Sequence, residues 1–168
     1  MVSNPPFSQI REYLDCILSL EKEFIIIAPN TAIGYKNIFK YIKSGDIKLG
    51  NRKMNKAIYF NKPDGTKIRM NNVVYLTNMK YKCDTDIKTL EAKYDPLKYQ
   101  MCDNIDAVNI DKCADVPIDY DGLMTVPLTF LEYLKRYNFK IVGFRYGTDD
   151  KDIRVDGKEK FQRIIIKK

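Results

Sequence analysis

Val2-Ser3-Asn4-Pro5-Pro6-Phe7-Ser8 is the stretch from which the rest of the chain is read. Pro5 and Pro6 have no backbone N–H, and each proline pushes the residue before it out of the helical region. Asn4 and Pro5 are therefore expected to be extended, with carbonyls free of helical hydrogen bonds. The product is a stiff, acceptor-rich corner with a carboxamide at one end and an aromatic ring at the other. Such a corner suits an amino group on a flat ring: the oxygens of Asn4 and Pro5 accept its hydrogens and Phe7 covers the ring face. A purely structural Pro-Pro turn accounts for the tetrapeptide equally well, so its surroundings have to decide.

Those surroundings read as α/β. Ser8 is placed to cap a helix, and Ile10, Tyr13, Leu14, Ile17 and Leu18 recur at helical spacing, predicting an amphipathic helix to about Lys22. Phe24-Ile25-Ile26-Ile27-Ala28 is apolar and β-branched and is closed by Pro29-Asn30. A strand apolar on both faces belongs inside a parallel sheet covered by helices. A second helix carries Tyr35, Ile38, Phe39 and Ile42 on one face and Lys36, Lys40 and Lys43 largely on the other, and Ser44-Gly45 stops it. Val2-Ser3-Asn4 reads as the end of a strand whose earlier part is missing. In open α/β sheets the working loops lie at the carboxyl ends of strands, which is where the corner would fall.

After Gly50 the pattern becomes β-like. Ala57-Ile58-Tyr59-Phe60 is a short strand, Pro63-Asp64-Gly65 is turn chemistry, and residues 67–79 supply a second strand, giving an antiparallel pair expected to close one side of the sheet. Residues 84–94 are predicted helical, ended by Asp95-Pro96, and residues 104–121 read as a long ordered connection. Residues 129–137 are predicted helical and 139–144 a strand. Ile153-Arg154-Val155, Asp156-Gly157-Lys158 and residues 161–166 read as a β-hairpin. There is no internal repeat and no low-complexity linker.

Composition narrows the chemistry. The 168 residues are 45% hydrophobic, enough for a real core. No apolar run approaches a membrane span and no signal-peptide pattern opens the chain, which points to the cytoplasm. Histidine is absent and Cys16, Cys83, Cys102 and Cys113 form no Cys-x-x-Cys pair, so zinc and the usual hydrolase triads are not expected. Asp103, Asp106 and Asp111 miss the register of a calcium loop, and no metal is expected. The net charge of +7 is uneven: residues 36–69 hold ten Lys/Arg against two Asp (+8), and residues 84–121 hold ten Asp/Glu against four Lys (−6). The loop Arg52-Lys53-Met54-Asn55-Lys56 is read as a phosphate contact, with a solvated loop as the plain alternative.

Ser3-Asn4-Pro5-Pro6-Phe7-Ser8 with Arg11-Glu12-Tyr13, then Tyr75-Leu76-Thr77-Asn78, then Asp119-Tyr120-Asp121-Gly122 through Val126-Pro127-Leu128-Thr129-Phe130-Leu131, and finally Phe161-Gln162-Arg163-Ile164-Ile165-Ile166 resemble the EcoRI-type adenine-specific DNA methyltransferases. The resemblance covers nearly the whole chain. It implies methyl transfer from S-adenosylmethionine to adenine N6 in double-stranded DNA, within a restriction-modification system, on a base flipped out of the helix. It makes Asn4, Pro5, Pro6 and Phe7 catalytic, with Asn4 also touching the cofactor. It makes Tyr75 the candidate for the base's other face, on a strand expected to neighbour the catalytic one; a core tyrosine is the simpler reading. Arg52, Lys53, Lys56, Lys67 and Arg69 become candidates for DNA-backbone contact.

The resulting fold expectation is the second half of a Rossmann-like methyltransferase sheet with an antiparallel β pair and a C-terminal α+β extension. Residues 1–80 would hold the catalytic motif, and residues 81–168 a region suited to DNA recognition. The departure from the family pattern is the absence of any Gly-x-Gly turn for the cofactor's methionine part. The chain thus reads as a C-terminal portion, inactive alone, with self-association or a complementing N-terminal half as partner. Two other readings stand beside this one. One is a non-catalytic DNA-binding module. The other is a metal-dependent nuclease using Asp84 or Asp86 with Glu91 and Lys93, which a helix over that segment would disfavour.

Overall fold

Pro5 cannot donate to a neighbouring strand, and the first strand stops before it: β1 is Val2–Ser3 in the computed structural model, which describes residues 1–54, 56–81 and 87–168. The chain divides into two units, Met1–Thr85 and Asp86–Lys168. In the first, β1 pairs in parallel with β2 (Ile25–Pro29) through Val2 with Ile25 and Ser3 with Ile26. Parallel neighbours need a crossover, and a 3₁₀ turn at Phe7–Gln9 followed by α1 (Ile10–Ser19) supplies it. Ile10, Leu14 and Ile17 form the buried stripe of α1. Ser8 does not cap this helix. It sits inside the 3₁₀ turn, where the Gln9 N–H donates to the Pro6 carbonyl at 3.0 Å. The helix also ends earlier than Lys22, with Glu21 at a φ of +51°.

The next helix, α2 (Lys36–Ser44), buries Ile38, Phe39 and Ile42, and Gly45 ends it in the left-handed region at a φ of +85°. Asp15 of α1 accepts from Asn37 at 3.3 Å and from Tyr41 at 3.2 Å, so the two helices lie side by side. Four more strands follow in this unit: β3 (Lys48–Leu49), β4 (Ile58–Asn61), β5 (Lys67–Met70) and β6 (Val73–Thr77). The sheet order is β1-β2-β6-β3, with β6 antiparallel to both β2 and β3. Three strands thus run one way, linked by α1 and α2, and β6 is wedged between β2 and β3 in the opposite sense. The sheet is mixed, not parallel as the apolar run of β2 suggested. Ile26 and Ala28 are buried, while Ile25 and Ile27 on the other face are half-buried. Nor does the antiparallel pair close this sheet: β4 and β5 form a separate two-stranded ribbon, and β6 alone enters.

The second unit is β-rich. Its strands are β7 (Gln100–Met101), β8 (Ala107–Asn109), β9 (Leu123–Pro127), β10 (Lys140–Phe144), β11 (Arg154–Val155), β12 (Lys158–Glu159) and β13 (Arg163–Lys167). Five form a sheet in the order β10-β13-β9-β8-β7, parallel only between β8 and β9. Met124, Val126, Phe130, Ile164 and Ile166 are fully buried, and Cys102, Ile153, Val155 and Ile165 pack as a second cluster.

Several expectations need correction here. The described part of the predicted 84–94 helix has no regular structure; Asp84 and Asp86 lie outside the described residues. Side chains elsewhere take its donors, the Leu90 N–H giving to the Tyr137 hydroxyl at 2.7 Å and the Tyr94 N–H to Asp119 at 2.8 Å. Glu91 and Lys93 are exposed on this irregular segment, without the strand a nuclease site requires. The supposed connection over 104–121 contains β8, and β9, the middle strand of the sheet, was unforeseen. Leu128–Lys135 is 3₁₀, so the described residues of this unit hold no α-helix and the α+β expectation gives way to β with 3₁₀ turns. Asp156-Gly157 does turn the chain, at φ of +51° and +71°, but it joins β11 to β12. The apolar β13 instead lies between β9 and β10, paired along both edges, and Arg163 to Ile166 are buried on both faces.

Asn104 ties the 147–154 loop to the sheet. Its amide donates to Asp149 at 2.7 Å and to the Asp152 carbonyl at 3.1 Å, and its side-chain oxygen accepts the Arg154 N–H at 3.0 Å. The bonds from Asn104 first, then from Arg154, hold the Asp149 carboxyl at about 2, below its ordinary 3.8. A carboxylate so depressed favours the folded state above its ordinary pKa, and that contribution disappears as pH falls through about 2. Asn104→Ala is expected to cost about 1–3 kcal/mol in urea unfolding, since it removes a buried side chain and leaves its partly buried partners unpaired. Carboxyl NMR titration should show Asp149 moving from about 2 toward 3.8 in that variant; an unchanged midpoint would show that Asn104 does not hold it.

Candidate active site

Because β1 and β2 run the same way, the chain leaves both strands at one edge of the sheet. There Asn4-Pro5-Pro6-Phe7 follows β1 and Asn30 follows β2. Pro5 is buried and anchors the corner, Asn4 and Pro6 are exposed, and Phe7 is half-buried. Pro6 is extended, at φ −55° and ψ 129°, and its carbonyl is occupied by Gln9. Ser3 Oγ accepts from the Tyr13 hydroxyl at 2.6 Å, which fixes the end of β1 to α1. The Asn4 carboxamide has no protein partner among the described residues.

Asn30 was read in the sequence only as a strand stop. Its N–H donates to the Asn72 carbonyl at 2.8 Å, while its side-chain oxygen is buried with no partner among the described residues. A buried acceptor without a donor is costly, which marks Asn30 as a second residue able to receive an amine hydrogen. The signal available in the sequence was its place after an apolar strand, the same place that singled out Asn4.

Tyr75 lies on β6, which neighbours β2 and not β1 as expected; it pairs with Ile27. Two strand spacings, about 10 Å, therefore separate its strand from β1. It lines a cavity of about 500 Å³ with Ile25, Arg52, Thr77, Met79 and Tyr81. Gly50 closes against it, donating its N–H to the Tyr75 carbonyl at 2.7 Å.

The cations fall into two groups. Arg52 is half-buried, donates to the Lys56 carbonyl at 2.6 Å and to the Ala57 carbonyl, and so closes its own loop; its Nε is buried without a partner among the described residues. Lys53 is half-buried and Lys56 exposed in the same loop. Lys67 and Arg69 stand exposed on β5, and among the described residues neither is in an ion pair. No described helix is long and apolar enough to cross a membrane.

The model of the family described as adenine-specific methyltransferase EcoRI matches residues 1–168. The chain is 38% identical to the Type II methyltransferase M.EcoRI of Escherichia coli, over 99% of this chain and 56% of that protein. It is 28% identical to M.MgeORF184P of Mycoplasma genitalium, over 100% of this chain and 64% of that protein. It is also 28% identical to M.MpnI of Mycoplasma pneumoniae, over 99% and 63%. The chain thus spans less than two thirds of the length of each relative. No solved structure matches it.

A Cβ added at Gly50 would lie 2.5 Å from the Tyr75 Cβ, an atom fixed to the β6 backbone. Gly50→Ala is therefore expected to cost about 1–3 kcal/mol of stability, read by urea unfolding. Wild-type stability in that variant would mean that the loop and β6 part easily.

Proposed function

The chain belongs to the EcoRI family of adenine-specific methyltransferases, and from that premise we propose that it carries the amine-binding side of a site that methylates adenine N6 in duplex DNA. The observation that carries this reading is the exposed, unpartnered Asn4 carboxamide just past the carboxyl end of β1, on the edge where Asn30 keeps a buried acceptor.

An adenine amine spreads its lone pair into the ring and is a poor nucleophile. With the base flipped out of the stack, Asn4 Oδ1 and the Pro5 carbonyl accept its two hydrogens, which raises electron density on nitrogen and points the lone pair away from the ring. Phe7 stacks on the base, a contact worth about 1–3 kcal/mol. S-adenosylmethionine, when bound, supplies the electrophilic methyl on a sulfonium that leaves as a neutral thioether. As the new N–C bond forms, the nitrogen becomes cationic and its hydrogens acidic, and the oxygens holding them pass one proton to water. No histidine is required as base, and the chain has none.

The acceptors at this edge fit the amine. For the cofactor's methionine part the chain offers no Gly-x-Gly turn, so Asn4 is the one residue assigned toward it. Among the described residues β1 has a neighbour on one side only, and an open edge of this kind pairs readily; a complementing portion, or a second copy, fits there. Lys53 and Lys56 are assigned to the DNA backbone. Tyr75, two strands from β1 and packed against Gly50, serves the sheet and its cavity, and the mechanism does not require it.

The chain mixed with the portion of the E. coli relative that it does not match should place labelled methyl groups on adenine N6 in duplex DNA. Asn4→Ala should lower that rate about 100-fold or more with little change in DNA affinity, since hydrogen bonds aimed at the reacting centre typically count for that much. Undiminished methylation in Asn4→Ala would remove the corner from catalysis. Tight, stoichiometric S-adenosylmethionine binding by the unmixed chain in calorimetry would overturn the partial-site reading.

A further inference from the structure

The β4–β5 ribbon stands outside both larger sheets, and residues 61–69 are all exposed. Its root is fixed: Ile58 is 5% exposed and its partner Met70 is half-buried. Its pairing is Tyr59 with Arg69, Phe60 with Ile68 and Asn61 with Lys67. Side chains alternate along a strand, so Tyr59, Asn61, Lys67 and Arg69 share one face, and Phe60 and Ile68 share the other. The polar face reaches solvent, with Tyr59 62% exposed. The tip is held by its own bonds: Asp64 accepts the Thr66 N–H at 2.8 Å and its hydroxyl at 2.6 Å, and Gly65 takes a φ of +82°. Among the described residues no ion pair engages Lys62, Lys67 or Arg69.

We propose that this ribbon enters the major groove of duplex DNA and reads base edges with Tyr59, Asn61, Lys67 and Arg69. The proposal rests on the reading of the protein as one that acts on duplex DNA, and it moves Lys67 and Arg69 from backbone contact to base contact. The dimensions agree. A two-stranded ribbon fits a groove about 12 Å wide, and with its polar face toward the base edges its four paired residues run about 10 Å along that groove. The chemistry agrees as well. An arginine fork matches the O6 and N7 acceptors of guanine, a carboxamide matches N6 and N7 of adenine, and lysine donates to guanine. Phosphate contact needs only charge, whereas this face sets a carboxamide and a phenol directly opposite the two cations. Double-stranded RNA is a poor alternative, because its major groove is too narrow for side chains to read.

Selection of the purified chain on a randomised duplex library, followed by sequencing, should enrich a short motif. Arg69→Lys keeps the charge and Asn61→Ala does not alter it, so neither should change affinity for a scrambled duplex. Each should weaken binding to the selected duplex about 5- to 150-fold, the usual discrimination of a bidentate base contact. Lys56→Ala, in contrast, should weaken both duplexes alike. Because all three side chains are exposed, circular dichroism should match wild type. In an independent measurement, wild-type protein should protect guanine N7 of the selected duplex from dimethyl sulfate. Unchanged discrimination in both ribbon variants, no enriched motif, or reactive N7 throughout the bound site would overturn the proposal while duplex binding kept the underlying reading standing. Binding to phosphatidylserine vesicles or RNA, with none to duplex, would overturn both.

Discussion

The parallel pairing of Val2-Ser3 with Ile25-Ile26 is the constraint from which the first unit follows. Two strands that point the same way cannot be joined by a turn, so the chain between them must cross a sheet face, and that crossing is α1. The double proline makes the crossing abrupt. Pro5 cannot extend the ladder, Pro6 holds an extended backbone, and only after Gln9 does the helix begin. Tyr13 reaches back to Ser3 from the first turn of that helix, so strand end, corner and helix are fixed together. A single-residue slip between β1 and β2 would turn Ser3 away from Tyr13 and release the corner.

Direction also explains why Asn4 and Asn30 share an edge while Tyr75 does not join them. β6 arrives from the ribbon through Asn71-Asn72, with no helix between, and it enters the sheet in the opposite sense. Its aromatic is consequently set by packing against Gly50, whose missing side chain lets the 50–52 loop close on the strand.

What could be read from the sequence was local. The period of Ile10, Leu14 and Ile17, the β-branched run of β2, the stop at Gly45 and the turns at Gly65 and Asp156-Gly157 all depend on near neighbours, and the structure holds each of them. The corner was legible for the same reason, since proline acts on its own backbone and on the residue before it. Partners were not legible. Nothing in Arg163-Ile164-Ile165-Ile166 says that it lies between β9 and β10 instead of returning from the hairpin, because three consecutive isoleucines suit any site that is covered twice. Asn30 was missed because an unpaired acceptor is a property of its surroundings, which the sequence does not print.

The uneven charge divides along the two units and is used differently in each. In the second unit the aspartates are largely occupied. Asp103 accepts the N–H groups of Asp156 and Gly157, Asp111 pairs with Lys160 and Arg163, and Asp119 accepts from Tyr94. An acidic segment that read as a long connection is in large part a set of acceptors replacing regular secondary structure where strands are short. In the first unit the reverse holds. Among the described residues the ribbon's cations have no acidic partner, and its one aspartate, Asp64, is committed to Thr66. Charge spent on internal bonds is unavailable to a ligand, whereas charge left on a stiff, protruding ribbon is free to meet one. That contrast, more than the net +7, locates the surface on which an anionic partner is expected.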